Sequence, residues 1–315
     1  MSSTSRVASE NFDRISTVTQ ALILMYCVHP VANSGYLDSK RREICNWVER
    51  INPTQDHNNA IILREEQTCR WILRQPEWQD WLAGAHRFIW IHGIPGAGKT
   101  ILASYIIDEA TSFCSKLQVT NVCLYFYCSY RHTEDQTSSF LRWIVSQLCG
   151  HLKSIPQEIV HIHQKKAEPT IAQLKRALSA LLGHIGVVYI ILDAIDECNT
   201  QSGVHAADAH DARKTLLSLL AELLMDPAFA KIRILATSRN YIDIENVLKP
   251  LSAPISMSNS LVDEDIRTYV KAELQTNEKF TRWPATLMDE ILEALVKGAK
   301  GMYVYFHETR PPLSY

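Results

Sequence analysis

No sign of charge predominates in this chain: 32 lysines and arginines face 34 aspartates and glutamates, a formal net charge of -2 over 315 residues. Nothing global pulls such a chain onto nucleic acid or anionic lipid, so a local site must carry its function and neither partner is expected. Long apolar runs are missing too. The one membrane-like stretch, Ala21–Val28 (ALILMYCV), is far shorter than the ~20 apolar residues of a spanning helix and reads as a helix packing on something else. It makes a poor secretory signal, because Glu10 and Asp13 offset Arg6 and Arg14 and no small-x-small cleavage site follows. The eight cysteines contain no CxxC pair and no regular spacing, which argues against a disulfide framework and for the reducing cytoplasm. Cys123 and Cys128 lie in an apolar run and read as small buried hydrophobes. His161-x-His163, and His205 and His210 with Asp208, have ligand chemistry but no zinc-site spacing and stay unassigned. Internal repeats and low-complexity tracts are also absent.

What remains is an ordinary globular composition, 46% hydrophobic and 9% aromatic, with room for one large domain plus extensions or for two small domains. Residues 1–38 are Ser/Thr-rich and form a separate N-terminal extension. A helical approach segment over 39–85 follows. In it Ile44, Trp47, Val48 and Ile51 fall at i, i+3, i+4 and i+7, Asn52-Pro53 breaks the pattern, and QDHNN reads as a loop. Trp71, Trp78 and Trp81 belong to a second helical stretch interrupted near Pro76, and read as packing rather than ligand contacts. From Gly84 short apolar runs alternate with helical ones. Strands are expected at Phe88–His92, Val122–Tyr127, Val187–Leu192 and Ile232–Ala236, and helices near Lys99–Phe113, Ser138–Cys149, Ile171–Leu182 and Ala212–Met225. This alternation predicts an α/β fold, a doubly wound parallel sheet with helices on both faces. VVYIIL (187–192) is apolar at every residue and should be covered on both sides. GVHAADAHDAR (203–213) reads as a loop insertion.

The first strand runs into Gly93, Ile94, Pro95, Gly96, Ala97, Gly98, Lys99 and Thr100, a full match to GxxxxGK[ST] between a strand and a helix. Glycines let successive backbone N–H groups converge on the β- and γ-phosphates, Lys99 adds a point charge, and the helix N-terminus adds its dipole. The Thr100 hydroxyl is placed to ligate Mg²⁺. The third strand ends at Asp193, where an acid at the end of a strand neighbouring the phosphate loop suits the Mg²⁺ shell. Asp196 and Glu197 follow one short turn later, close enough to position or deprotonate an attacking water, or else form a solvated acidic turn. Arg239 closes the fourth strand and reaches toward the γ-phosphate, unless it is a surface arginine.

WIHGIPGAGKT (90–100), YIILDAIDEC (189–198) and ILATSR (234–239) together resemble the NACHT-type signal-transducing NTPases of the STAND class, above all fungal NLR-like proteins with a nephrocystin-like N-terminal region. REICNWVERINPTQDHNNAIILREEQTCRWIL (42–73) is similar to the segment preceding their NTPase core, and LYFYCSYRHTEDQTSSFLRWIVSQL (124–148) to its second strand and next helix. DEDIRTYVKAEL (263–274) and KGAKGMYVYF (297–306) resemble the start of the helical portion beyond it. The resemblance implies an NTPase core over 86–250 and the start of a helical subdomain over 251–315. It implies ATP or GTP with Mg²⁺, slow hydrolysis, and a nucleotide-controlled switch that oligomerises in non-self recognition. Thr100 and Asp193 would hold the metal, Asp196 and Glu197 the water, and Arg239 would sense the γ-phosphate. Such proteins usually continue into a winged helix and repeats, for which no length remains. A shortened protein or incomplete gene model is therefore expected, with a nucleotide-binding scaffold lacking turnover as the alternative. A small-molecule kinase would need an Arg-rich lid and an acceptor pocket, and the sequence offers neither.

Overall fold

The computed structural model describes residues 39–302 apart from 118–119, 133, 153, 166, 199–205, 277–279, 281–282 and 300. The N-terminal extension, with Ala21–Val28, and the tail beyond 302 lie outside the described residues. Helix α1 spans 39–48. Then come α2 (Thr54–Ile62), a 3-10 turn (Arg70–Arg74), α3 (Pro76–Ala83), β1 (Phe88–His92) and α4 (Lys99–Lys116). They are followed by β2 (Val122–Tyr127), α5 (Gln136–His151), α6 (Gln157–Gln164), α7 (Ile171–Leu182) and β3 (Val188–Asp193). The remainder is α8 (Ala206–Met225), β4 (Ile232–Ser238), α9 (Ile242–Leu248), β5 (Ala253–Ser256), α10 (Ser260–Thr276) and α11 (Ala285–Ala299). Among the described residues no helix is long and apolar enough to cross a membrane.

The five strands form one parallel sheet in the order β2-β3-β4-β1-β5. Side chains alternate across it, so each strand feeds two cores. Phe88 and Trp90 of β1, Ile190 of β3 and Ile234 of β4 enter a core shared with α1 and α5–α9. Ile89, Ile91, Tyr189, Ile191 and Leu235 enter the opposite core, with Trp71, Trp78, Trp81, α4 and α10. Every residue of β3 is buried, as its unbroken apolar run requires.

Four features depart from the sequence reading. QDHNN lies inside α2, because His57 and Ala60 turn inward and His57 Nδ1 meets the Tyr127 hydroxyl at 3.0 Å. The expected insertion 203–213 is helical from Ala206 onward, its AADAHDA run favouring a helix; residues 203–205 lie outside the described residues. The sheet also gains β5, whose APIS sequence is too short to announce a strand. Its Pro254 fits there because β5 is an edge with one neighbour. Finally, β3 does not adjoin the phosphate-loop strand, since β4 lies between β3 and β1.

Two arginines bind the lower edge of the sheet to its helices. Arg87 donates from Nε to Ile232 O (3.1 Å), from Nη1 to Leu224 O (2.7 Å), and from Nη2 to Leu223 O (3.1 Å) and Phe229 O (2.6 Å). It thereby caps the last carbonyls of α8 and ties them to β4. Arg233 donates to Trp81 O (3.1 Å) and to the Tyr189 hydroxyl (2.7 Å), and lies over the Tyr189 ring. On the same side as the phosphate loop, α10 is fastened to the approach segment: the Asp265 carboxylate accepts the Cys69 N–H, and Cys69 has a left-handed φ of 70°.

Arg87→Ala should lower stability by ~3 kcal/mol, since it leaves four carbonyls without their charged donor. Arg87→Lys should restore only part, because one ammonium cannot span all four; chemical denaturation checks both. Asp265 supplies a pH test. Burial pushes its carboxyl up to about 6, against the Cys69 N–H and with help from Glu264. The raised value means the protonated form suits the fold. Its stability contribution is complete below ~3.9, the unfolded carboxyl value, and is lost as pH rises through about 6. Asp265→Asn keeps an oxygen for Cys69 and carries no charge. Its unfolding midpoint should match or exceed the unsubstituted chain at pH 7, and that advantage should vanish as pH falls toward 4.

Candidate nucleotide site

The phosphate loop leaves β1 at Gly93 and enters α4 at Lys99. Gly96 and Gly98 take left-handed φ values of 74° and 80°, which L side chains rarely adopt. Gly93 is needed for closeness instead, as a Cβ there would lie 2.9 Å from the Cβ of Met257. Lys99 bends back across the loop and donates to the carbonyls of Gly93 (3.0 Å) and Ile94 (2.9 Å). Burial holds its ammonium below the usual lysine range, opposed by the carboxylates of Asp196 and Asp193. The loop thus keeps its cation inside its own turn, where a phosphate would also sit.

Asp193 is 2% exposed. Its Oδ2 accepts the Thr100 hydroxyl at 2.8 Å, and its Oδ1 accepts the Thr237 hydroxyl from the end of β4. Burial raises its carboxyl, and the Thr237 and Thr100 hydroxyls work against that rise. Although β4 intervenes between β3 and β1, Thr100 and Asp193 still converge because both stand at the carboxyl edge of the sheet. A hydroxyl and a carboxylate in contact are hard oxygen donors, the set Mg²⁺ prefers beside phosphate oxygens and water. These residues therefore fit the ion.

The chain then turns sharply: Ala194 has φ 59°, uncommon outside glycine, and its N–H bonds the Thr237 hydroxyl at 3.0 Å. Such local strain is typical of functional turns. The turn separates the two acids that follow. Asp196, its side chain 4% exposed, faces Arg239: Oδ2 lies 3.1 Å from Nε, and Oδ1 accepts the Arg239 N–H at 2.9 Å. Arg213 supports the pair, donating to Asp196 O at 2.9 Å and pairing with Asp243 at 3.0 Å. Glu197 lines the cleft beside the phosphate loop. Burial raises its carboxyl, and the Asp196 and Asp193 charges raise it further.

All twelve residues singled out in the sequence border one crevice or support it. Pro95–Thr100, Asp193, Asp196, Glu197 and Arg239 line a cavity of about 290 Å³, while Gly93 and Ile94 supply the carbonyls that hold Lys99. The sequence reading missed the far wall. Leu63, Thr68, Cys69 and Trp71 of the approach segment line the cavity together with Met257 and Tyr269. Trp71 is 5% exposed, so it is core as expected, yet it also borders the cleft. The available signal was the polar EEQTC stretch just ahead of Trp71. A second cavity of about 330 Å³ adjoins Thr100, Asp193 and Glu197, walled by Asp56 and Asn59 of α2 and by Tyr130 and Arg131. The site therefore adjoins two cavities, one lined mostly by apolar surface and one of mixed character.

Vegetative incompatibility protein HET-E-1 of Podospora anserina is 27% identical over 259 residues, covering 77% of this chain but only 18% of that protein. The chain thus spans under a fifth of that relative's length. Among solved structures, the Aeropyrum pernix Orc1 protein in complex with DNA aligns over 76% of this chain and 63% of that one, at 15% identity and a TM-score of 0.40. A Walker-type ATPase of Pyrococcus abyssi aligns over 78% and 68%, at 14% identity and a TM-score of 0.41. The family described as Nephrocystin 3, N-terminal matches residues 67–239, which take in the far wall at Thr68–Trp71, the phosphate loop, the acid turn and Arg239. Since that match covers more than half of the 315 residues, the chain belongs to the Nephrocystin 3 N-terminal family.

Proposed function

We propose that the chain binds a purine nucleoside triphosphate with Mg²⁺ and hydrolyses it slowly, as the nucleotide-controlled core of a NACHT-type signalling protein in the cytoplasm. The observation that carries this reading is the Thr100–Asp193 contact at 2.8 Å within a complete phosphate loop. On arrival of nucleotide, Lys99 would leave the Gly93 and Ile94 carbonyls for the β- and γ-phosphates, while the loop N–H groups and the start of α4 hold the anion. Mg²⁺, held by Thr100 and Asp193, would neutralise charge between the β- and γ-phosphates.

The two acids of the turn would divide the work. Glu197 faces the cleft with a raised carboxyl and would orient the attacking water and take its proton. Asp196 has both carboxylate oxygens engaged by Arg239 and would position that guanidinium toward the γ-phosphate. Arg239 would then report the presence of the γ-phosphate to α9, which follows it directly. Oligomerisation through the core, and a role in non-self recognition, extend this reading by likeness to HET-E-1, named as a vegetative incompatibility protein.

Lys99→Ala should weaken triphosphate binding at least tenfold in equilibrium titration, because charge-assisted phosphate contacts are each worth ~1.5–3 kcal/mol. Unchanged affinity would overturn the nucleotide assignment. Glu197→Gln should leave binding intact and slow single-turnover hydrolysis by ~10²-fold or more. Asp196→Asn should slow it less and also lower the unfolding midpoint. Bound ATP and GTP that both stay intact over hours in the unsubstituted chain would favour the scaffold reading.

A further inference from the structure

The nucleotide reading draws on the first cavity and leaves the second without a task. Thr100, Asp193 and Glu197 belong to the walls of both, so a phosphate held at those residues borders both. Their cations differ. Lys99 and Arg239 line the first cavity and not the second. Arg131 lines the second and not the first, and among the described residues it is the one cation there. Carboxylates of Asp56, Asp193 and Glu197 share that wall with it. Even so, Arg131 forms no ion pair with any of them, and its exposed guanidinium lies over the Tyr130 ring, 5.9 Å from the centroid. Its charge is therefore available to a ligand.

The turn that carries Arg131 is fixed at both ends. Where it leaves β2, the Cys128 N–H donates to the carbonyl of Asp193 at 3.0 Å. Where it enters α5, the buried Gln136 side chain grips Ser129 twice. Its Oε1 accepts the Ser129 N–H at 3.0 Å, and its Nε2 donates to Ser129 O at 3.0 Å. Ser129 closes the turn in between, its hydroxyl accepting the Arg131 N–H at 3.2 Å and its carbonyl the His132 N–H at 3.1 Å. Asp135 then caps α5 by accepting the Thr137 N–H at 3.0 Å. Backbone hydrogen bonds thus tie the position of Arg131 to that of Asp193.

Charge balance gives that position a use. A terminal phosphate beside Thr100 also lies near the carboxylates of Asp193 and Glu197, and like charges repel strongly where water is scarce. Part of the charge of Arg239 is already spent on Asp196, which engages both its Nε and its backbone N–H. We propose that Arg131 is a second ligand of the γ-phosphate, entering from the cavity that Arg239 does not border, so that two arginines on separate loops tell triphosphate from diphosphate. A guanidinium suits this task because its planar fork meets two phosphate oxygens at once. A diphosphate ends short of it, and Arg131 then rests on Tyr130. The inference depends on the nucleotide reading but not on turnover, since it concerns binding alone.

The test is equilibrium titration of the full chain with ATP, ADP, GTP and GDP in the presence of Mg²⁺. Arg131→Ala should weaken triphosphate binding by ~tenfold or more while diphosphate affinity and the unfolding midpoint stay where they were. Arg131→Lys keeps the charge without the fork and should recover part of the loss. Lys116→Ala removes an exposed cation from the far end of α4 and should leave the triphosphate-to-diphosphate ratio unchanged. An unaltered ratio in Arg131→Ala, or equal losses for both nucleotides, would overturn the role of Arg131 and leave the nucleotide reading standing. An unsubstituted chain that binds none of the four would remove that reading and this inference together.

Discussion

A carboxylate almost wholly removed from water, Asp193, anchors the carboxyl edge of the sheet. A buried charge persists only where hydrogen bonds replace its hydration. The two that do so come from Thr100 at the start of α4 and Thr237 at the end of β4. That pairing joins the phosphate loop to the acid turn although their strands are not neighbours. The same Thr237 hydroxyl takes the Ala194 N–H, so one buried group also fixes the left-handed turn beyond Asp193. Where Asp196 and Glu197 point follows from that turn. A change at Thr237, which does not itself line the cavity, would therefore disturb the whole crevice.

Guanidinium groups do comparable work at both edges of the sheet, to different ends. At the amino edge, Arg87 and Arg233 satisfy backbone carbonyls that helix ends and turns leave open. At the carboxyl edge, Arg213 and Arg239 hold a side chain and a carbonyl of the acid turn. The first pair stabilises; the second shapes the crevice. Arg239 stays partly exposed, at 39% of its side chain, while its partner Asp196 is nearly closed off. One end of that ion pair is thus enclosed by protein, and the other borders the cleft and also donates to the Tyr241 hydroxyl at 3.1 Å.

Strands were legible in the sequence wherever burial on both faces forced an apolar run. β1 and β2 fall at the residues read, and β3 and β4 within two residues of them. Legibility failed where half of an element meets water. QDHNN carries too little apolar character to reveal α2, yet His57 finds a buried hydroxyl partner in Tyr127, seventy residues away. AADAHDA reads as a loop by polarity, but alanine favours the helix regardless. APIS becomes a strand only because β1 presents an open edge to pair with.

The sequence by itself determined the loop that can cradle phosphate, the acid at the end of its strand, and the arginine at the end of the next. A phosphate cradle is built from successive backbone N–H groups, so its chemistry must be contiguous and is written in one stretch of chain. Tertiary structure alone decided that β4 stands between β3 and β1, and that Asp196 faces Arg239 while Glu197 faces the cleft. It also built the far wall from segments on either side of the core. Those contacts join residues far apart in sequence, where no local spacing constrains them and only packing brings them together.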